Sequence, residues 1–144
     1  MKKICLIIIL LLFTIGAVTA VNPDDFKTPD GYKEVGQGTG GFYEYKNGSN
    51  LLDIYDWDGL YNIWFGNYDA HTCDYYDNNI YVYTDAGFCG YQELVEHDEK
   101  TYLIVSFIRT HNTNAPSELY DALLEFNKIN NVEPKSPNWV VYEN

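Results

Sequence analysis

The stretch FCGYQELVEHDEKTYLIVSFIR, residues 88–109, decides the fold. Two apolar-rich runs, 88–96 and 101–109, flank the charged tip His97-Asp98-Glu99-Lys100. Runs of this length, rich in β-branched and aromatic residues and joined by a short polar link, predict a β-hairpin. In the second run Leu103-Ile104-Val105 and Phe107-Ile108 are apolar at successive positions. Successive residues point to opposite faces of a strand, so this strand is covered on both sides and lies in the core.

Toward the N-terminus the same signals recur. Residues 80–84 form a short strand, turned by Asp85-Ala86-Gly87. Residues 69–79 are polar and predict a long loop, and residues 60–68 are apolar on both faces and predict a central strand. Residues 42–46 and 51–55 pair around Asn47-Gly48, which offers the positive φ of a tight primed turn. Gly36, Gly38, Gly40 and Gly41 precede a strand and not a helix, so this glycine-rich stretch is a loop and not a phosphate cradle. Toward the C-terminus one segment is helical. Pro116 suits a first helical position, and Glu118 and Asp121 place negative charge near the positive end of the dipole. Leu119, Ala122, Leu123, Phe126 and Ile129 recur at steps of three and four, and Asn130-Asn131 with Pro134 ends the helix. Residues 139–142 suggest a last edge strand. The expected architecture is α+β: an antiparallel sheet of about five to seven strands with a C-terminal helix packed on one face.

The first twenty residues have the three parts of an export signal. Lys2 and Lys3 are followed by an apolar run over 4–18, and Val18-Thr19-Ala20 supplies small residues before a cut after Ala20. The expectation is a signal peptide, 1–20, and a single exported domain, 21–144, secreted or at the cell surface; the alternative is an uncleaved anchor at the membrane. The whole chain carries a formal charge of −12. Removing Lys2 and Lys3 leaves 7 basic against 21 acidic residues, or −14. Such a surface repels phosphate backbones, which argues against a nucleic-acid partner, and it opposes insertion into anionic membranes after signal cleavage.

The cysteines beyond the leader are Cys73 and Cys89, and outside a reducing cytoplasm two thiols are expected to pair. The loop they would close spans 16 residues (89 − 73), for which loop-closure entropy gives about 3 kcal/mol. Two free thiols, or metal ligands together with His71, are the competing readings. Asp53, Asp56 and Asp58 before Gly59 do not meet the EF-hand spacing and suit turn acids. Glu93 and Glu96 are three apart on a strand, hence on opposite faces of a solvated hairpin. The chain contains no G-x-S-x-G and no H-E-x-x-H, and no cofactor motif. Asn47-Gly48-Ser49 is an N-glycosylation acceptor on a turn.

Aromatic content is the most unusual quantity: 14 Tyr, 7 Phe and 3 Trp. Tyr55, Trp57, Tyr61 and Trp64 are candidates for an exposed aromatic platform that binds a glycan or an envelope protein; tyrosines filling cross-strand pairs are the alternative. A further resemblance rests on Asp25-Phe26-Lys27-Thr28-Pro29-Asp30-Gly31-Tyr32, on Gly90-Tyr91-Gln92, on the strand over 102–108 and on the helix over 116–129. In these the chain resembles small exported proteins of methanogenic archaea and bacteria, and is similar to PsbP/Mog1-like domains. That resemblance implies an α/β sandwich with a binding or accessory role. Three functions follow as expectations: a non-catalytic binding module, a cell-envelope hydrolase using carboxylates or His71, or a structural subunit assembling through an edge strand. A cleft where paired acids or histidines meet would favour the hydrolase; a flat aromatic face would favour the binding module.

Overall fold

The computed structural model describes residues 21–38, 41–57, 73–85 and 87–136. They form an antiparallel sheet and one helix packed against it, the α+β architecture the sequence pattern predicts. In chain order the elements are β1 (Lys33–Gln37), β2 (Tyr43–Asn47), β3 (Asn50–Asp56), β4 (Cys73–Asp77), β5 (Ile80–Asp85), β6 (Phe88–His97), β7 (Lys100–Arg109), α1 (Ser117–Asn130) and β8 (Pro134–Lys135). The strand order is β1-β2-β3-β7-β6-β5-β4, with β8 pairing the far end of β6 through Leu94 and Val95.

The decisive hairpin occupies the centre. β6 and β7 pair over ten positions, from Phe88 opposite Arg109 to His97 opposite Lys100. The link is the two-residue turn Asp98-Glu99, both at positive φ (48° and 63°), so the strands extend one residue further into the charged tip than the apolar pattern suggests. Four other elements correct the sequence reading. The stretch over 69–79 is not all loop, because β4 pairs with β5 around Asn78-Asn79, again at positive φ. The turn between β2 and β3 is Gly48-Ser49, since Asn47 pairs with Asn50 and Gly48 takes φ 60°. β1 and β8 carry too few apolar residues to announce themselves. The predicted strands over 60–68 and 139–142 lie outside the described residues.

The sheet has two apolar faces. On one, α1 lays Leu119, Ala122, Leu123 and Phe126 against Leu52, Ile54, Tyr91, Val95 and Ile104. Pro116 is the helix N-cap, one position earlier than the sequence suggests, and Asn131 closes the C-terminus in the left-handed conformation. Phe26, from the segment before β1, completes this layer, with ring centroids 4.9 Å from Tyr102 and 5.5 Å from Phe126. Asn130 holds that segment by accepting from the Lys27 amide (2.7 Å) and donating to the Lys27 carbonyl (2.8 Å). The opposite face, called here the far face, buries Leu51, Trp57, Leu94, Leu103, Val105 and Phe107. Gly90 is required there: a Cβ would run into the Ser106 carbonyl oxygen and come within 2.6 Å of the Phe107 Cα.

The predicted Cys73–Cys89 disulfide is not formed. Cys73 is opposite Tyr83, and Tyr83 is opposite Gly90, so β5 lies between the two cysteines. Two strand spacings are about 9–10 Å, beyond the roughly 4.4–6.8 Å between Cα atoms that a disulfide spans. Cys89 is a free, fully buried thiol, and burial pushes its pKa up.

Candidate functional site

A pocket of about 330 Å³ opens at the corner where the β2–β3 turn meets the end of β7. Its polar lining is Glu44 and Lys46 from β2, Ser49 from the turn and Arg109 from β7; Val35 and Leu51 supply the apolar part, and Gly48 closes the turn side. The register explains the convergence. Lys46 is opposite Leu51, Leu51 is opposite Phe107, and Glu44 is opposite Asp53. Alternation along each strand therefore puts Glu44, Lys46, Leu51, Asp53 and Arg109 on the far face together. Val35 reaches the same corner from β1, where the pairing slips between Glu34 and Gly36; a bulge of this kind re-aims side chains at a sheet edge.

Directly opposite Glu44 on β3 is Asp53, 2% exposed. Its carboxyl is pushed up to about 8, first by burial and then by the negative charge of Glu44; the Tyr55 hydroxyl and Arg109 pull the other way. Tyr55 donates to Asp53 Oδ2 at 3.0 Å, and burial with the neighbouring Asp53 raises the Tyr55 hydroxyl well above its ordinary range. Asp53 Oδ1 has no hydrogen-bond donor among the described residues. At neutral pH Asp53 therefore keeps a proton, and Glu44 opposite is the group that can accept it. Of the two acids only Glu44 lines the pocket.

Of the four residues expected to form an aromatic platform, the two that are described, Tyr55 and Trp57, are not exposed. Trp57 is 9% exposed and packs with Leu51, Leu94 and Leu103, and Tyr55 is half-buried against the same cluster. Burying these two rings gains more than exposing them, because the far face has its own apolar core. Tyr61, Trp64 and His71 lie outside the described residues. Exposed aromatics occur instead on the edge strand β4, at Tyr75 and Tyr76. Tyr76 contacts Tyr91 (4.8 Å) and Tyr120 (5.0 Å), and Tyr120 donates to Asp77 at 3.0 Å. Asn47 is exposed at the end of β2, beside the turn whose Ser49 lines the pocket.

A second buried acid lies on the helix face. Glu93 is fully buried, not on a solvated hairpin as its charge suggests. Burial pushes its carboxyl up to about 8. Asn127 of α1 donates to Glu93 Oε2 at 2.9 Å, while Glu93 Oε1 and Asn127 Oδ1 are both left without partners. Glu96, three residues on, is exposed and lies 3.6 Å from the Lys135 ammonium.

Sequence reasoning missed Glu44, Lys46, Arg109 and the burial of Asp53. The signal that could have found them is the turn. Once Gly48-Ser49 is taken as the loop, counting back pairs Glu44 with Asp53 and sets Lys46 beside them. Comparison with protein-family models, with curated proteins and with solved structures returns no match for this chain.

Proposed function

We propose that this chain is an exported, non-catalytic binding module that holds a small ligand in the corner pocket between β1, β2, β3 and β7. One observation carries the reading. In a chain of net charge −12, Lys46 and the sequence's single arginine, Arg109, line the same small cavity with a carboxylate and a hydroxyl. Convergent polar groups on a concave, partly apolar surface are the ordinary signature of a ligand site. The volume is at the small end of the ~300–1,000 Å³ that such sites occupy. The apolar leader over 1–20 supports export.

A second reading, an envelope hydrolase, is favoured by the acid pair Glu44–Asp53, since two carboxylates with one proton between them can divide acid and base roles. Asp53 is buried and does not line the pocket, and this favours binding. The test is a nuclear magnetic resonance screen of a small-molecule fragment library against the protein and its Arg109→Ala variant. The binding reading expects hits whose shifts map to Val35, Glu44, Lys46 and Ser49 and vanish in the variant. Hits confined to other surfaces overturn it. Conversion of a fragment into product during the screen replaces it with the hydrolase.

A further inference from the structure

The charges around the pocket say more than that something small binds there. Lys46 is directly opposite Lys33 on β1. Like charges at directly opposed positions of a sheet destabilise it. Three of the nine basic residues of the chain, Lys33, Lys46 and Arg109, thus gather at one corner of one face. No salt-bridge partner at hydrogen-bonding range is seen for Lys46 or Arg109 among the described residues, and Arg109 is exposed at the end of β7. Glu44 is the one carboxylate among the pocket-lining residues, against the two cationic side chains Lys46 and Arg109.

We infer that the pocket takes a small monoanion bearing a carboxylate beside neutral hydroxyl groups, the chemistry of a sugar acid. The inference rests on the binding reading above and names its ligand class. The charge count decides between classes. Among the residues that line the pocket, Lys46 and Arg109 bring two cationic side chains and Glu44 one carboxylate. The pocket lining is then +1, which a monoanion balances. A dianion such as a phosphate monoester leaves an excess negative charge in a strongly acidic protein. An amino sugar adds a cation to a site that is already positive. Arg109 suits a planar carboxylate because its guanidinium presents parallel donors at carboxylate spacing. Glu44 and Ser49 can accept from ligand hydroxyls, and Val35 and Leu51 offer an apolar floor for the C–H face of a ring.

The probes are galacturonate, galactose, galactosamine and inorganic phosphate, titrated calorimetrically at pH 6.5 and low salt into the protein, Arg109→Ala and Val35→Ala. The expected result is galacturonate binding that weakens about tenfold or more in Arg109→Ala. It should also weaken as salt rises, because the pairing is solvent-accessible. Galactose should bind at least about tenfold more weakly than galacturonate, and galactosamine more weakly still. Equal affinity for galactose and galacturonate overturns the carboxylate assignment, as does galacturonate binding that survives Arg109→Ala unchanged. Phosphate competing as well as galacturonate overturns the monoanion assignment. If library fragments map to the pocket while galacturonate does not bind, the ligand class is wrong and the binding reading stands. If nothing maps to the pocket, the binding reading itself has failed.

Discussion

Among the described residues the two faces of the sheet each bury one carboxylic acid, and the two acids sit in opposite company. On the helix face, Glu93 meets a neutral amide, Asn127, in apolar surroundings where burial alone raises its pKa. On the far face, Asp53 meets a carboxylate, a phenol and, at longer range, a guanidinium, and it backs onto a pocket. Both hold a proton to about 8. The shared value hides different consequences. A proton on Glu93 Oε1 can be donated to Asn127 Oδ1, which pairs the two atoms otherwise left unsatisfied and closes a two-bond ring between β6 and α1. A proton on Asp53 instead sets how much negative charge the pocket carries. The first acid acts on the fold, the second on what the fold can bind.

The largest effect expected is on the apolar layer that isolates Glu93. Phe126 is fully buried between Phe26 and the sheet. Phe126→Ala should cost about 3–5 kcal/mol, read as a lowered denaturant midpoint. A loss below about 1 kcal/mol would mean that the helix face is loosely packed, and Glu93 could then not owe its proton to burial.

Next comes the pH dependence of stability. In the unfolded chain both acids ionise in the ordinary carboxylate range, whereas in the fold they keep their protons to about 8. Between those values the fold binds more protons than the unfolded chain, so stability falls as pH rises through the window and levels off above it. Each group can contribute at most about 1.4 kcal/mol per pH unit. Glu93→Gln should keep the ring with Asn127, since its amide donates where the acid did, and it cannot ionise. The variant should match wild type near pH 4.5, exceed it at pH 8.5, and show a shallower loss between them in urea titrations. An unchanged slope would show that Glu93 is ionised in the fold.

Much of this contrast is invisible in sequence for a physical reason. The hairpin over 88–109 and the helix stripe were legible because apolar periodicity reports burial against a face. Glu93 and Asp53 interrupt that periodicity with charge, and pattern reading assigns an interruption to solvent. Asn127 falls within the helix stripe but looks polar, so the pairing across 34 residues leaves no local trace. The cysteines mislead in a related way. Loop length and compartment favour a disulfide, yet strand order alone decides distance, and strand order is a long-range property. Tyr55 and Trp57 likewise carry no mark that tells an exposed aromatic from one that a second apolar face will bury.

Asp53→Asn sharpens the comparison from the ligand side. Below pH 8 the substitution replaces a neutral acid by a neutral amide that can still donate to Glu44. Galacturonate affinity at pH 6.5 should therefore change less than about threefold. At pH 9, wild-type Asp53 is ionised and the pocket loses its net positive charge, so its affinity should fall while that of the variant holds. Calorimetry at the two pH values checks this. Parallel decline in both proteins would trace the pH effect to another group and separate Asp53 from the pocket.

The smallest effect provides the control that both faces share. The β6–β7 turn places Glu99 at φ 63°, a conformation that costs a side chain with a Cβ roughly 1 kcal/mol relative to glycine. Glu99→Gly should therefore stabilise the protein by no more than about 0.6 kcal/mol, after an allowance of about 0.4–1 kcal/mol for the greater freedom of glycine in the unfolded chain. Glu99 is exposed and lies at the end of the sheet away from the pocket. The gain should be the same at pH 5 and pH 8.5, and galacturonate affinity should not move. A pH-dependent gain would mean that the turn and one of the buried acids are coupled through β6, and the two faces would then no longer titrate as separate units.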